Sequence, residues 1–351
     1  MRILVAGATG ALGRSLLPQL VARGHEVAGI TRTPTKAALV RQLGARPLIA
    51  DGLDAKAISQ AVQAIKPEVI VHQMTDLKSA SDLRHFDRAF AITNRLRTEG
   101  TEHLLCAARE AGVTRFVAQS FCGWPYAMTG WEVKAEEWPL DPRPLREFRR
   151  TLDAIQYLER AVTQSHSTSG IVLRYGVFYG PDTGLFDGPL VEQILRRRFP
   201  VIGAGGGCWS FIHIDDAAAA TVLAIERGEA GKIYNIVDDE PALVRDWLPA
   251  LAAMLGAKPP RQLPVWLGRL AAGKHIVTMM TQVRAGSNAK AKLKLGWEPA
   301  RQTWRRGFVE VLHQMQSQRR NNQGYSTSHR QSLTNAVLPV GISSDNEYDN
   351  G

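Results

Sequence analysis

A glycine-rich segment near the amino terminus constrains the fold of this chain more than any other feature. Residues 2–6 (RILVA) form a short apolar run typical of a buried strand, and Gly7, Gly10 and Gly13 follow it in a GxxGxxG spacing. Leucines at helical spacing come next, so these glycines occupy the turn between a strand and a helix. Glycine permits a tight turn there and leaves no Cβ between a phosphate and the helix N-terminus. The segment therefore predicts a dinucleotide-binding turn.

Strand and helix patterns alternate through the first half of the chain. After the first strand, further strands are predicted at 27–31, 46–50, 69–72 and 115–120. Helical patterns separate these strands, the last of them a long helix over 86–111. This alternation predicts the α/β class, with a doubly wound, Rossmann-type parallel sheet that has helices on both faces and a smaller C-terminal substrate-binding part.

The pattern also suggests how the chain is divided. A dinucleotide-binding domain is expected at 1–175 and a mainly substrate-binding part at 176–315, from which a strand at 232–237 returns to the sheet. From residue 316 to 351 the sequence is polar and aperiodic. A segment without apolar periodicity has no face to bury, so a disordered tail is expected.

Composition argues against several classes of function. The net charge is +10, but no basic run is interleaved with aromatic residues and no zinc-finger spacing occurs, so nucleic-acid binding is not expected. Cys106, Cys122 and Cys208 lie too far apart in sequence for a disulfide framework or a metal site, which favours free thiols in a reducing compartment. Apolar runs are too short for a membrane span or a signal peptide. We expect a cytoplasmic monomer or homodimer that acts on a small molecule, without metal, nucleic acid or membrane partners.

The end of the second strand indicates which dinucleotide is bound. An acid at this position favours a free ribose 2′-hydroxyl, whereas arginine favours a 2′-phosphate. The chain reads Ile30-Thr31-Arg32-Thr33, without an acid, and Arg14 in the first helical turn is a second candidate cation. The sequence thus predicts NADP(H) in preference to NAD(H). The alternative is that Arg32 is a solvated loop residue.

Several motifs, in order, resemble the extended and atypical branches of the short-chain dehydrogenase/reductase superfamily, of the NAD-dependent epimerase/dehydratase type. AGATGALG is similar to its cofactor loop, DGLD (51–54) to its adenine-contacting segment, and RYGVFYGP (174–181) to its nicotinamide-side strand and loop. FIHIDDA (211–217) and LGWEP (295–299) resemble its C-terminal signatures, so the resemblance covers about residues 1–312. With the second-strand arginine, it implies cofactor contacts at Gly7, Thr9, Gly10, Ala11, Leu12, Gly13, Arg14, Arg32, Asp51, Gly52, Asn94, Ser120 and Arg174. For Asp51 the alternative is capping of the following helix.

The catalytic residues of the resembled family are not all present. That family uses a tyrosine and a lysine four residues later, on one helix face, where the lysine lowers the phenol pKa for proton transfer. In the matching helix these positions are Phe148 and Leu152, and no tyrosine of this chain is followed by a lysine four residues later. The family's serine or threonine falls near Ser120 or Phe121. The fold and cofactor are therefore expected, but the usual mechanism is not.

Other side chains are candidates for proton transfer. Tyr175 is the first choice, followed by Tyr126 and His213, with Ser120 nearby, although packing or substrate lining is the alternative for each. Trp124, Tyr126 and Trp131, which follow the fifth strand, are expected to line a pocket for an apolar or ring-bearing substrate. The predicted function is an NADP(H)-dependent oxidoreductase acting on a carbonyl or alcohol. The alternatives are a nucleotide-sugar-type epimerase or dehydratase and a non-catalytic NADP(H)-binding regulator.

Overall fold

The structure, a computed structural model, describes residues 1–77 and 85–317. Residues 1–308 form one compact unit, and a second unit begins at Val309. Residues 309–317, the described part of the second unit, are helical. The tail predicted for 316–351 lies outside the described residues from position 318 onward.

A seven-stranded parallel sheet forms the centre of the first unit. The strands of this unit, which include short strands paired outside the large sheet, are in chain order β1 (Arg2–Ala6), β2 (Glu26–Thr31), β3 (Arg46–Ile49), β4 (Val69–His72), β5 (Arg115–Phe121), β6 (Val133–Lys134), β7 (Ser169–Tyr175), β8 (Val177–Tyr179), β9 (Val201–Ile202), β10 (Cys208–Trp209), β11 (Phe211–His213), β12 (Lys232–Ile236), β13 (Ala242–Leu243), β14 (Gln262–Leu263) and β15 (Ala285–Gly286). The sheet order is β12-β7-β5-β4-β1-β2-β3, with every neighbouring pair parallel. This order confirms the predicted doubly wound class, and β12 lies in the sheet beside β7.

The helices of this unit include α1 (Ala11–Ala22), α2 (Ala37–Gln42), α3 (Ala55–Ile65), α4 (Phe86–Ala89), α5 (Ala91–Arg95), α6 (Thr101–Glu110), α7 (Arg146–Thr163), α8 (Pro189–Leu195), α9 (Ile214–Arg227), α10 (Val244–Met254), α11 (Val265–Ala272), α12 (Lys274–Thr281) and α13 (Ala289–Leu295). Helices α1, α2, α9 and α13 pack on one face of the sheet, and α3, α6 and α7 pack on the other. Among the described residues, none of the helices has both the length and the apolar character needed to cross a bilayer.

The single helix predicted over 86–111 is wrong. The segment breaks between α4 and α5 at Phe90, and a π-helical turn over Leu96–Gly100 separates α5 from α6. The wider turn buries Leu96, Arg97 and Gly100 together. Such turns change which side chains face inward, and apolar periodicity alone does not reveal them.

Side-chain alternation along the strands gives the sheet two apolar layers. Ile3 and Val5 of β1 pack with α1 and α9 on one face, whereas Leu4 and Ala6 pack with α3 and α6 on the other. This two-residue period is that of a strand covered on both sides. The covered sheet leaves its carboxyl edge, where ligands of such sheets bind, as the place for a site.

Candidate active site

The loop between β1 and α1 uses its three glycines in two different ways. Gly7 has a φ of +95°, and a Cβ there would lie 2.6 Å from the Gln73 carbonyl oxygen. A Cβ on Gly13 would lie 2.5 Å from the Ala8 carbonyl oxygen. Gly10 is different, because among the described residues its Cβ position meets only the Gly7 carbonyl oxygen, at 3.3 Å, and the residue is exposed. The fold itself therefore requires Gly7 and Gly13, while a side chain at Gly10 would need only a small shift of its neighbour.

The helix that begins after Gly10 is suited to bind an anion. Gly10 is the N-cap of α1, and no side chain caps this end. The first-turn amides of α1 are thus without a side-chain acceptor, and the helix dipole places partial positive charge there. Together with the exposed glycine at position 10, this arrangement fits the pyrophosphate of a dinucleotide.

Two arginines flank this loop. Arg32 directly follows β2, its side chain is 53% exposed, and its Nη1 lies 4.0 Å from the Asp76 carboxylate. Arg14 donates from Nε to the Thr9 carbonyl oxygen at 3.3 Å and forms a 2.9 Å ion pair with Asp182. The carboxylate contact of Arg32 is therefore longer than that of Arg14.

The segment after β3 corrects one of the alternatives drawn from the sequence. Asp54, not Asp51, caps α3, because its carboxylate accepts the Ala57 amide at 3.0 Å. Asp51 accepts the Leu53 amide at 3.0 Å and is exposed, whereas Gly52 is buried. The Asp51 carboxylate therefore lies at the carboxyl edge of the sheet with capacity to accept further hydrogen bonds.

Asn94 links α5 to α7. Its Nδ2 donates to the Thr151 hydroxyl oxygen at 3.0 Å. Its Oδ1 is buried and has no hydrogen-bond partner among the residues that the structure describes. A buried oxygen without a donor is unfavourable, so a ligand or water that donates to it is expected.

The α7 positions expected to hold the tyrosine and lysine lie in an apolar region. Phe148 and Leu152 are both almost completely buried. The Phe148 ring lies 4.8 Å from Trp124 and 5.0 Å from Phe86, centroid to centroid. We define the aromatic cluster as the rings of Phe86, Phe90, Trp124, Phe148 and His275. Phe121, at the end of β5, packs against the same side chains as Phe148.

A buried polar network lies farther along α7. Glu159 accepts both Nε and Nη2 of Arg174, at 2.7 and 2.6 Å, and also the Ser120 hydroxyl at 2.7 Å. Arg174 Nη1 donates to the Tyr126 hydroxyl at 3.0 Å, and this hydroxyl donates to Asn235 Oδ1 at 2.8 Å. Burial raises the pKa of Tyr126, the opposite of what a ready proton donor needs. These contacts give Ser120, Tyr126 and Arg174 structural partners.

The remaining proton-transfer candidates are also buried. The Tyr175 hydroxyl lies 2.7 Å from the Thr221 hydroxyl, and burial raises its pKa. His213 is the N-cap of α9, where its Nδ1 accepts the Asp215 amide at 3.2 Å. The structure does not bring Tyr175, Tyr126, His213 and Ser120 into one exposed group.

Glu159 and Asn235 were not identified from the sequence. The sequence did contain a signal for Glu159, because this acid lies on the apolar face of α7 with Ile155 and Val162. An acid on a buried helix face indicates a buried cationic partner. In Asn235 no comparable signal exists, since its partner Tyr126 is distant in sequence.

Comparison with known proteins agrees with this geometry. Residues 3–237 match the model of the NAD dependent epimerase/dehydratase family. A 3-diazoavenalumate denitrifying reductase of a Streptomyces species is 43% identical over 310 residues, which are 88% of this chain and 99% of that protein. A 4-hydroxy-2-methyl-3-oxo-4-farnesyl-3,4-dihydroquinoline-1-oxide ketoreductase of Stigmatella aurantiaca is 28% identical over 74% of each chain. The UDP-glucose 4-epimerase of Thermus thermophilus, solved in complex with NAD, has the same fold, with a TM-score of 0.68 at 24% identity over 89% of this chain and 98% of that one.

Proposed function

Because the chain belongs to the NAD-dependent epimerase/dehydratase family and is an NAD(P)-dependent oxidoreductase, we propose that it is a reductase of aromatic small molecules that takes no proton from a Tyr–Lys pair. One observation carries this proposal. Phe148 and Leu152, the residues expected at the positions of that pair, are buried together in an apolar region, and neither side chain has an exchangeable proton.

The lack of a proton donor at these two positions constrains the chemistry of the substrate. A bound nicotinamide cofactor supplies a hydride. A carbonyl that accepts a hydride also needs a proton on its oxygen, and positioned acids contribute roughly 10²–10⁴-fold to such steps. An aryl diazonium ion that accepts a hydride becomes an arene and N₂, with atoms and charge balanced and without a proton from the protein. The lack of an exchangeable proton at Phe148 and Leu152 favours the second kind of substrate.

The Streptomyces relative supports the same choice. It is named as a denitrifying reductase of a diazo compound, and its similarity extends over nearly its whole length. We therefore propose reductive loss of N₂ from an aryl diazo compound as the reaction of this chain. Burial and existing hydrogen bonds of Tyr126, Tyr175 and Ser120 favour structural roles for them.

For the cofactor we propose NADPH in preference to NADH. Arg32 supports this choice, since it follows β2, is half-exposed and has no acid beside it in sequence. The pyrophosphate would lie at Gly10 and the first turn of α1, and Asp51 and Asn94 would accept hydrogen bonds from the rest of the cofactor. A 2′-phosphate then has a guanidinium within reach of a charge-assisted hydrogen bond.

The test uses the purified full-length chain with NADPH and an ortho-diazophenol. We expect N₂, the phenol and NADP⁺ to form in equal amounts above the enzyme-free rate. Aldehydes, ketones and nucleotide sugars should react at least about a hundredfold more slowly, because they need the missing proton donor. The Gly10→Val variant serves as the control for enzyme-dependent reaction. Reduction of ketones at a comparable rate, or an inert diazo compound, would overturn the proposal.

A further inference from the structure

Two cationic side chains lie close together beside the aromatic cluster. In the β6–β15 pair, Gly286 lies opposite Lys134, and Arg284 immediately precedes β15. Residues two apart on a strand share a face, so Lys134 and Arg284 lie on the same face of this pair. Their tips converge as well. Lys134 Nζ donates to the Thr129 carbonyl oxygen at 2.5 Å, and Arg284 Nε donates to the adjacent Met128 carbonyl oxygen at 3.0 Å.

No carboxylate of the described chain neutralises this pair of charges. Neither Lys134 nor Arg284 forms an ion pair in residues 1–77 and 85–317, and Glu132, beside Arg284 in register, is exposed. Lys134 is fully buried, with its Nζ 4.1 Å from the centroid of the Trp138 ring. Burial and the charge of Arg284 lower the pKa of Lys134. Buried or half-buried cations without an acid are costly, which is typical of a site that receives an anion.

The surroundings of the pair suit a flat aromatic ligand. A groove of about 650 Å³ is lined by Gly130, Trp131, Glu132 and Val133, on the loop that carries both hydrogen-bonding carbonyls. Trp131 is 76% exposed, and exposed tryptophan beside a groove is suited to stacking. On the other side, Val283 precedes Arg284 and packs against Phe148 and Trp124. Lys134 thus directly follows the groove residues in sequence, and Arg284 directly follows a residue that packs in the aromatic region.

We propose that Arg284, with Lys134 behind it, binds the carboxylate of an aromatic acid whose ring lies in the groove of residues 130–133. This inference rests on the proposed reductase function and narrows its substrate class to aromatic carboxylates. Arg284 supplies the half-buried fork that matches a carboxylate, and Lys134 supplies a fixed second charge.

Calorimetric titration tests the proposal with two probes, 4-hydroxycinnamate and its uncharged methyl ester. The full chain is titrated with saturating NADP⁺ present. We expect the acid to bind about tenfold or more tightly than the ester, the effect of a charge-assisted hydrogen bond. Arg284→Gln should lose this preference and Arg284→Lys should keep part of it. Arg41→Gln, an exposed arginine of α2, removes the same charge elsewhere and should leave the preference unchanged.

Melting temperature and NADPH affinity are measured for each variant, and both should remain close to wild type in Arg284→Gln. If that variant does not fold, Lys134→Met is used in the same titration and should weaken the preference for the acid. Equal binding of acid and ester by the wild type, or no binding of either, overturns the carboxylate site. So does an unchanged preference in a folded Arg284→Gln. A wild type that reduces the diazophenol yet binds acid and ester equally rejects this site alone and leaves the proposed function in place.

Discussion

The β1–α1 loop and α7 meet the same carboxyl edge of the sheet but depart from the resembled family to different degrees. In the loop, the proposed phosphate contacts come from backbone amides, and glycines at positions 7, 10 and 13 match the resembled pattern. In α7, the residues expected to do the chemistry are side chains, and under our proposal Phe148 and Leu152 supply no proton donor although the helix is present. Our account therefore separates cofactor binding from proton transfer.

The largest expected effect is at Gly10. Gly10 has an ordinary φ of −73°, and its Cβ position meets the Gly7 carbonyl oxygen at 3.3 Å, so Gly10→Val should fold after a small shift of the loop, at a cost of about 1 kcal/mol for a poorer N-cap. Its side chain would fill the phosphate position, and NADPH affinity measured by fluorescence should fall by more than about a hundredfold, as expected when several charge-assisted hydrogen bonds are lost. Gly13→Val is the contrast, since it meets the Ala8 carbonyl and should lower the melting temperature. A folded Gly10→Val that binds NADPH normally would show that the loop is misassigned.

A change at Glu159 tests whether α7 is held by its buried network. Glu159→Gln leaves the buried Arg174 charge without its partner, which typically costs about 3–5 kcal/mol of unfolding free energy. The surface pair Arg23–Glu226 provides the matched control, where Glu226→Gln should cost less than about 1 kcal/mol. Urea denaturation measures both. Equal losses in the two variants would contradict the role given to the network.

The different predictability of the two regions has a physical basis. The loop was predictable because a strand, three glycines and a helix are adjacent in sequence, and local backbone rules decide their geometry. The network around Glu159 was not, because Arg174, Tyr126 and Asn235 come from separate elements that only folding brings together. The break in the 86–111 helix was missed for a related reason, since a π turn depends on what the helix packs against.

Arg32 is expected to decide the relative affinity for NADPH and NADH. NADPH should bind wild type about ten- to a hundredfold more tightly than NADH, from one charge-assisted contact to the 2′-phosphate. Arg32→Ala should bring the two affinities together, whereas Arg41→Ala should not. Titration of each cofactor into the three proteins decides the matter. Equal affinities of wild type for NADPH and NADH would refute the preference.

His72, at the end of β4, makes the free energy of unfolding depend on pH. Burial lowers the pKa of His72 to about 4, and its Nε2 lies 3.2 Å from the Leu96 carbonyl oxygen. In the unfolded chain His72 binds a proton near pH 6.5, whereas in the folded chain it does not. The contribution of His72 to the free energy of unfolding therefore falls as the pH drops from about 6.5 to 4. We expect the free energy of unfolding to fall by about 2 kcal/mol between pH 7 and 4.5 in wild type, and by less in His72→Asn. A variant with the same slope as wild type would assign the effect to other groups.

The smallest expected effect is that of removing a tyrosine hydroxyl, and it tests most directly the claim that no protein phenol supplies a proton. If hydride transfer takes no proton from a protein phenol, Tyr175→Phe and Tyr126→Phe should change kcat on the diazophenol by less than about tenfold, below the range of general acid catalysis. Tyr175→Phe is the cleaner variant, because Thr221 keeps its 2.7 Å hydrogen bond to the Ala217 carbonyl. The measurement is kcat for both folded variants at saturating NADPH. A loss on the order of 10²–10⁴-fold in either would identify that hydroxyl as the proton donor and contradict the account.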